Sequence, residues 1–347
     1  MINFVENYKN SSDKILEEAI TNNRLMIVIN PIAGTLSKSN ITEAVCGRLS
    51  GDGFSLDVRT TCARGDATLF AKEAVADNYL GVVAVGGDGT VNEIANALCD
   101  TDVALGIIPA GSGNGLARHL GISMDCLKAA DVICDRNIVP SDYGTVNKKN
   151  FYCTFGVGFD AAVSHRFAKQ NRRGKMMYLK STINEYLHYK PKEYVISANG
   201  KVITERAFLI AICNASQYGN NAYIAPYADI TDGLLDITII HAGNALDIAS
   251  VGIDLLSGAL PSNIMIDTFR TKAAVIAQAG GGPAHLDGEP MIMDDTMYIQ
   301  CHHNKLKIFT PVQSEQFRPI ITPIKSLWND IVLDLNRMLS RTRNSMR

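Results

Sequence analysis

The sequence predicts an α/β domain built on a parallel sheet, followed by a second domain made largely of antiparallel strands. Three observations carry this. Over residues 24–120 short apolar strands alternate with helices, the pattern of a parallel sheet covered on both faces. Runs such as Gly81-Val-Val-Ala-Val are apolar throughout, as strands buried on both sides must be. Near Val139 the alternation stops and strand follows strand. A length of 347 residues gives room for about two such domains.

Taken in order, a leading helix over Asp13–Thr21 precedes a first strand, Arg24–Asn30, which ends in the turn Asn30-Pro31-Ile32-Ala33-Gly34. A helix over Asn40–Leu49, a strand over Ser55–Thr60 and a helix over Asp66–Asp77 come next. Leu80–Val85 reads as a strand, Val91–Cys99 as a helix and Val103–Ile108 as a strand, and Leu116 opens a further helix. The second half reads as strands at Asp142–Val146, Phe151–Gly156, Glu193–Ala198, Arg206–Asn214, Leu235–Ile240, Thr268–Ala277 and Met297–Phe309. One basic helical stretch, Ser164–Tyr189, interrupts them, and a helix over Ile324–Arg341 is expected to return to the first domain. The expected division is residues 1–139 with 311–347, and residues 140–310.

Composition excludes several classes. With 46% hydrophobic and 20% charged residues the chain can bury a core and is not of the disordered type. A net charge of -2 argues against a nucleic-acid binder. The eight cysteines form no Cys-x-x-Cys pair, so reduced, mostly buried thiols are expected, with no zinc site. The N-terminus lacks the order of a signal peptide, and no apolar run reaches the roughly 18 residues of a membrane span.

Three loops follow predicted strands: Asn30–Gly34, Gly86–Asn92 and Pro109–Gly115. Ligands of open α/β sheets bind at the carboxyl ends of strands. Glycine-rich turns and helix N-termini there present backbone amides to anions. The three loops together point to a nucleotide or phosphate. The Walker pattern is absent, and Gly111-Ser-Gly113-Asn-Gly115 lacks the G-x-G-x-x-G spacing, so a P-loop enzyme and an ordinary dehydrogenase fit poorly.

The ordered set NPIAG, GGDGTVNE, IPAGSGNGLAR and LDGE resembles the diacylglycerol kinase catalytic domain, a family that includes sphingosine kinases and bacterial lipid kinases. The resemblance covers roughly residues 24 to 310 and implies a C-terminal β-sandwich, with the active site in the cleft between domains. It implies ATP and Mg²⁺ as cofactors. Asn30, Pro31, Ile32, Ala33 and Gly34 would line the phosphates. Gly86, Gly87, Asp88, Gly89, Thr90, Val91 and Asn92 would hold phosphates and metal, with Asp88 facing the ion and Thr90 capping the next helix. Ser112, Gly113 and Asn114 would touch the nucleotide, as would Thr61 in a segment where Asp66 replaces the family's usual His. PAGSGNGLAR is closer to the sphingosine-kinase form of the loop than to the Thr form of bacterial diacylglycerol kinases.

The resemblance assigns Asp287 of Leu286-Asp-Gly-Glu289 as general base and Glu289 as a supporting group. By itself, Asp-Gly is the dipeptide of a hairpin turn. The segment Ala225–Asp236 resembles a structural Mg²⁺ site, with carboxylates from Asp229 and Asp232 and the carbonyl of Leu234; otherwise it is a solvated acidic turn. His165–Lys180 holds six Lys and Arg and no acidic residue, interleaved with apolar side chains, and suits attraction to anionic headgroups; otherwise it is a solvated helix whose apolar residues pack in the domain. The tail from Arg318 to Arg347, also basic, is either a second membrane contact or a helix packed on the first domain. The partners that follow are a lipid substrate, an anionic membrane surface met peripherally from the cytoplasmic side, and a second copy as homodimer. Two rivals stay open: an NAD kinase-like phosphotransferase, and an inactive nucleotide sensor on the same fold.

Overall fold

The computed structural model describes residues 23–31, 38–168, 189–219, 222–257 and 263–312. The expected leading helix, the loop residues Ile32, Ala33 and Gly34, most of the basic stretch (169–188) and the tail from 313 lie outside these.

The first half is a parallel sheet with helices on it. Its strands are β1 (Arg24–Ile29), β2 (Ser55–Thr60), β3 (Gly81–Gly86) and β4 (Ala104–Pro109). Its helices are α1 (Lys38–Gly51), α2 (Asp66–Ala76), α3 (Asp88–Leu98), α4 (Gly115–His119) and α5 (Cys126–Cys134). The strand order is β2-β1-β3-β4, all parallel. α2 packs beside α3 and α1 beside α5, covering the sheet. Every residue of β3 and β4 is buried, which their unbroken apolar sequences require, whereas edge strand β2 is half-exposed. Each buried valine of β3 contributes roughly 1.5–3 kcal/mol. Because β1 lies between β2 and β3, the winding direction reverses there. The loops after β1 and β3 therefore open into the crevice where such sheets bind ligands.

The second half comprises β5 (Ile138–Val146), β6 (Lys149–Phe151), β7 (Thr154–Gly158), α6 (Phe159–Ala168), β8 (Lys192–Ala198), β9 (Lys201–Cys213), β10 (Leu235–His241), α7 (Ala245–Ser257), β11 (Ile266–Thr271), β12 (Ala273–Ala277), β13 (Gly282–Leu286), β14 (Glu289–Met293) and β15 (Thr296–Phe309). One layer runs β8-β12-β15-β5 and another β14-β13-β7-β9-β10-β11, with antiparallel pairing within each. Long β9 joins both, pairing β8 with its first half and β7 and β10 with its second. Phe155, Ile210 and Ile237 of one layer pack with Ile196, Ile276 and Ile299 of the other, making a β-sandwich. The end of β15 runs beside β4, where Leu306, Ile308 and Phe309 join the core of the first sheet.

Several elements differ from expectation. α5, α7 and the strands β13 and β14 were not anticipated, α6 starts at Phe159, and the strand expected over Thr268–Ala277 breaks at Lys272 into β11 and β12. β9 starts earlier than expected because Asn199 and Gly200, both at positive φ, turn the chain from β8 directly into it. All eight cysteines are free, but only Cys153 and Cys213 are fully buried, and Cys62 is exposed.

Candidate active site in the interdomain cleft

Asn30, at the end of β1, meets the glycine-rich loops Gly86–Asn92 and Pro109–Gly115 at the carboxyl edge of the parallel sheet. Asn30 extends β1 by donating its amide to Val85 O (3.1 Å), and its side chain donates to Thr90 Oγ1 (3.1 Å). Gly87 and Gly111 touch backbone to backbone: a Cβ on Gly111 would lie 2.5 Å from the Gly87 Cα. Only glycine lets these two loops approach so closely. α3 starts at Gly87, which has no side chain to cap it. Thr90 therefore does not cap the helix as expected; it is buried within the first turn and anchors Asn30 instead.

One face of α3 carries Asp88, Asn92 and Asn96, four residues apart and therefore stacked along the helix. Each reaches a different segment. Asp88 Oδ2 accepts from Asn114 N (2.9 Å) and its Oδ1 from Gly115 N (2.7 Å), so its carboxylate ties down the start of α4. Asn92 Nδ2 donates to Asp287 Oδ2 (3.0 Å). Asn96 Oδ1 accepts from Tyr152 OH (2.9 Å) and Asn150 Nδ2 (3.0 Å). Burial raises the Asp88 carboxyl above the usual range, against the pull of the Gly115 and Asn114 amides and the charge of Arg118.

Asp287 and Gly288 form the two-residue turn between β13 and β14, with φ of 48° and 82°. Both positive angles belong to the turn type that Asp-Gly favours. The hairpin turn and the carboxylate that the resemblance singles out are thus one feature, not alternatives. Asp287 Oδ1 accepts from Cys153 N (2.7 Å) and Thr154 N (2.8 Å), and Oδ2 from Tyr152 N (2.9 Å) as well as Asn92. Burial pushes its carboxyl up, the three amides pull it down, and the charge of Asp88 raises it further. A cavity of about 20 Å³ lies among Asp88, Asn92, Gly115, Thr154, Tyr218 and Asp287, room for one water-sized group.

Side chains not anticipated from sequence brace this centre. Buried His285 bonds Asp160 Oδ2 (3.0 Å) through Nε2 and accepts the Gly288 amide (3.3 Å) at Nδ1, while Tyr218 OH donates to the same Asp160 oxygen (2.8 Å). Asn214 at the end of β9 donates to Tyr152 O (2.9 Å) and Asp142 O (3.0 Å), fixing the segment whose amides hold Asp287. His119 bonds Ser216, joining α4 to the second domain; burial depresses it to about 4.

The remaining expected residues divide. Glu289 is exposed and pairs with Arg64 across the cleft mouth (2.5 Å). Thr61 is buried with its hydroxyl directed to Ile29 O (3.4 Å). Asp66 accepts the amides of Cys62 (2.7 Å) and Ala63 (2.8 Å), which hold its carboxyl below the usual range. Asn114 spends its side chain on Gly111 N and O, whereas Ser112 is exposed and Gly113 faces Asp88.

The acidic segment expected to hold a structural metal is tied together by internal hydrogen bonds. Asp229 Oδ1 accepts from Thr231 N (2.9 Å) and Oγ1 (2.7 Å), and Asp232 Oδ1 accepts from Leu234 N (2.9 Å). Arg270 contacts Asp232 Oδ2 (3.3 Å), Asp236 Oδ1 (3.1 Å) and Tyr227 O (2.5 Å). One guanidinium thus faces a segment that carries three carboxylates, Asp229, Asp232 and Asp236, and offsets part of their charge. Among the described residues, no three His, Cys, Asp or Glu side chains are grouped as a cation site.

Comparison with known proteins matches both halves. The diacylglycerol kinase catalytic domain matches residues 24–146, and the YegS C-terminal NAD kinase beta sandwich-like domain matches residues 153–310. The chain is 30% identical to the "Diacylglycerol kinase" of Bacillus subtilis, over 68% of this chain and 79% of that one. It is 30% identical to the "Probable lipid kinase YegS-like" of Pseudomonas syringae pv. tomato, over 85% and 96%. The crystal structure of a diacylglycerol kinase from Bacillus anthracis shares the fold, with a TM-score of 0.67, 19% identity and coverage of 84% and 98%.

Proposed function

The chain belongs to the diacylglycerol kinase catalytic-domain family of lipid kinases, and from that premise we propose that it transfers the γ-phosphoryl group of ATP to a hydroxyl of a diacylglycerol-like or sphingoid lipid. The observation that carries the site assignment is the pair of carboxylates, Asp88 and Asp287, flanking a cavity sized for one hydroxyl or water. In this assignment the acceptor hydroxyl gives its proton to Asp287. The hydroxyl oxygen then forms a bond to the γ-phosphorus, the bond to the β–γ bridging oxygen breaks, and ADP leaves with that electron pair.

The nucleotide phosphates would lie along the loops headed by Asn30 and Pro31, by Gly86–Asn92 and by Ser112–Asn114, with Thr61 at the edge. Helix N-termini and loop amides attract phosphate. Asp88 in the first turn of α3 would repel it unless a cation intervenes, so Asp88 would hold Mg²⁺, which neutralises charge on the phosphates. The division at residues 139 and 140 then separates a nucleotide domain from a lipid domain. The six Lys and Arg of residues 165–180 would attract an anionic bilayer, each by about 1 kcal/mol near the surface.

The test is incubation of the protein with labelled ATP, Mg²⁺ and vesicles carrying diacylglycerol or a long-chain base, with the products resolved. Label in a phosphorylated lipid is the expected result, and its identity selects the acceptor. Label appearing only in a soluble dinucleotide would overturn the lipid assignment, and no transfer to any acceptor would favour a sensor.

A further inference from the structure

We propose that Asn92 is the positioning residue of Asp287: it holds the carboxylate in the resting enzyme and yields its place on Oδ2 to the acceptor hydroxyl. The inference rests on Asp287 being the base. A carboxylate offers about four lone-pair positions. Two donors occupy Oδ1 (Cys153 N and Thr154 N) and two occupy Oδ2 (Tyr152 N and Asn92 Nδ2). No position is open for an incoming O–H, so one donor must withdraw before a proton can arrive.

Three of the four are backbone amides that cannot withdraw. Asn214 N (2.9 Å) and Ala215 N (3.1 Å) both donate to Cys153 O, and Asn214 Nδ2 holds Tyr152 O. Thr154 pairs with Cys213 in the β7–β9 ladder, and its carbonyl accepts the Asp287 amide (2.8 Å). Asn92 is the only side chain among the four donors, and a rotation about its χ angles releases it. It also lines the cavity between Asp88 and Asp287, so a hydroxyl entering there meets this bond first. One turn further along the same face of α3, Asn96 braces the helix against Tyr152, so the side chain moves while its backbone stays.

This assignment takes Asn92 from the nucleotide side of the site, where the sequence pattern put it, to the acceptor side. It predicts a split in the kinetic constants. Asn92→Leu should lower kcat about tenfold, because the base loses its aim. KM for ATP should stay unchanged, and KM for the lipid should stay the same or fall, because no donor has to be displaced.

The test is a double-mutant cycle on the full chain with a labelled-lipid assay, using Asn92→Leu, Asp287→Asn and the pair. Acting through Asp287, Asn92→Leu has no further effect on the residual transfer of Asp287→Asn. Full additivity, or a raised KM for ATP, overturns the proposal while leaving Asp287 as base. Undiminished activity of Asp287→Asn overturns the base assignment and the proposal with it. If Asn92→Leu does not fold, Asn92→Ala, which only deletes, takes its place in the cycle with the same expected outcomes.

Discussion

Two acidic clusters in this protein are held in opposite ways. Asp88 and Asp287 accept hydrogen bonds from neutral donors: five backbone amides of other residues and the amide of Asn92. Asp232 and Asp236 bind the guanidinium of Arg270, whose remaining contact is the Tyr227 carbonyl. Amides orient a carboxylate without cancelling its charge, whereas a guanidinium does both. The carboxylates of the cleft are thus oriented by amides, and the turn after Tyr227 is closed by an internal cation.

The largest effect expected from breaking this contrast is on the cleft side. Asp287→Asn should lower kcat by about 10²–10⁴ with the fold retained, the usual contribution of a general base, as measured by lipid phosphorylation and circular dichroism. A variant that retains full transfer would remove Asp287 from the chemistry.

Next comes acid stability at the seam between the two regions, where His119 meets Ser216. Burial lowers the folded value of His119 to about 4 from 6.5. The unfolded chain therefore takes up a proton that the folded chain refuses. Stability from this group is complete above pH 6.5 and is lost as the pH falls towards 4, by about 2 kcal/mol after allowing for the ring's partial exposure. Denaturant titrations across that range should show a steeper loss for the natural protein than for His119→Gln. Parallel curves would show that this histidine is not the cause.

On the guanidinium side, Arg270→Gln should cost about 1–2 kcal/mol, between the values for exposed and buried pairs. Neither EDTA nor Mg²⁺ should move the melting temperature of the natural protein through this segment. A Mg²⁺-dependent rise that Asp232→Asn abolishes would mean that an ion displaces Arg270. The smallest effect belongs to the exposed Arg64–Glu289 pair, whose removal by Arg64→Ala should change unfolding free energy by at most about 0.5 kcal/mol.

How much of this was legible from the chain follows the range of the interactions. The parallel strands, the two glycine loops after β3 and β4 and the Asp-Gly turn are local patterns, and each lies where the residues placed it. Asp88, Asn92 and Asn96 could be read as a polar stripe at helical spacing, but nothing local names their partners. Asn92 and Asp287 are 195 residues apart. Arg270, which decides the fate of the acidic turn, comes from a strand 38 residues beyond Asp232. The strands flanking that turn, β13 and β14, escaped notice because Gly282–Leu286 carries no strand periodicity of its own; pairing with β7 makes it a strand.

By itself the sequence determined the fold class, the phosphate-type loops and the family, because backbone geometry at glycines, apolar strand runs and motif order are properties of neighbouring residues. The tertiary structure alone decided what faces each carboxylate. A carboxylate's orientation and reach depend on donors brought in from distant segments, and only folding assembles those around Asp287 and Asp232.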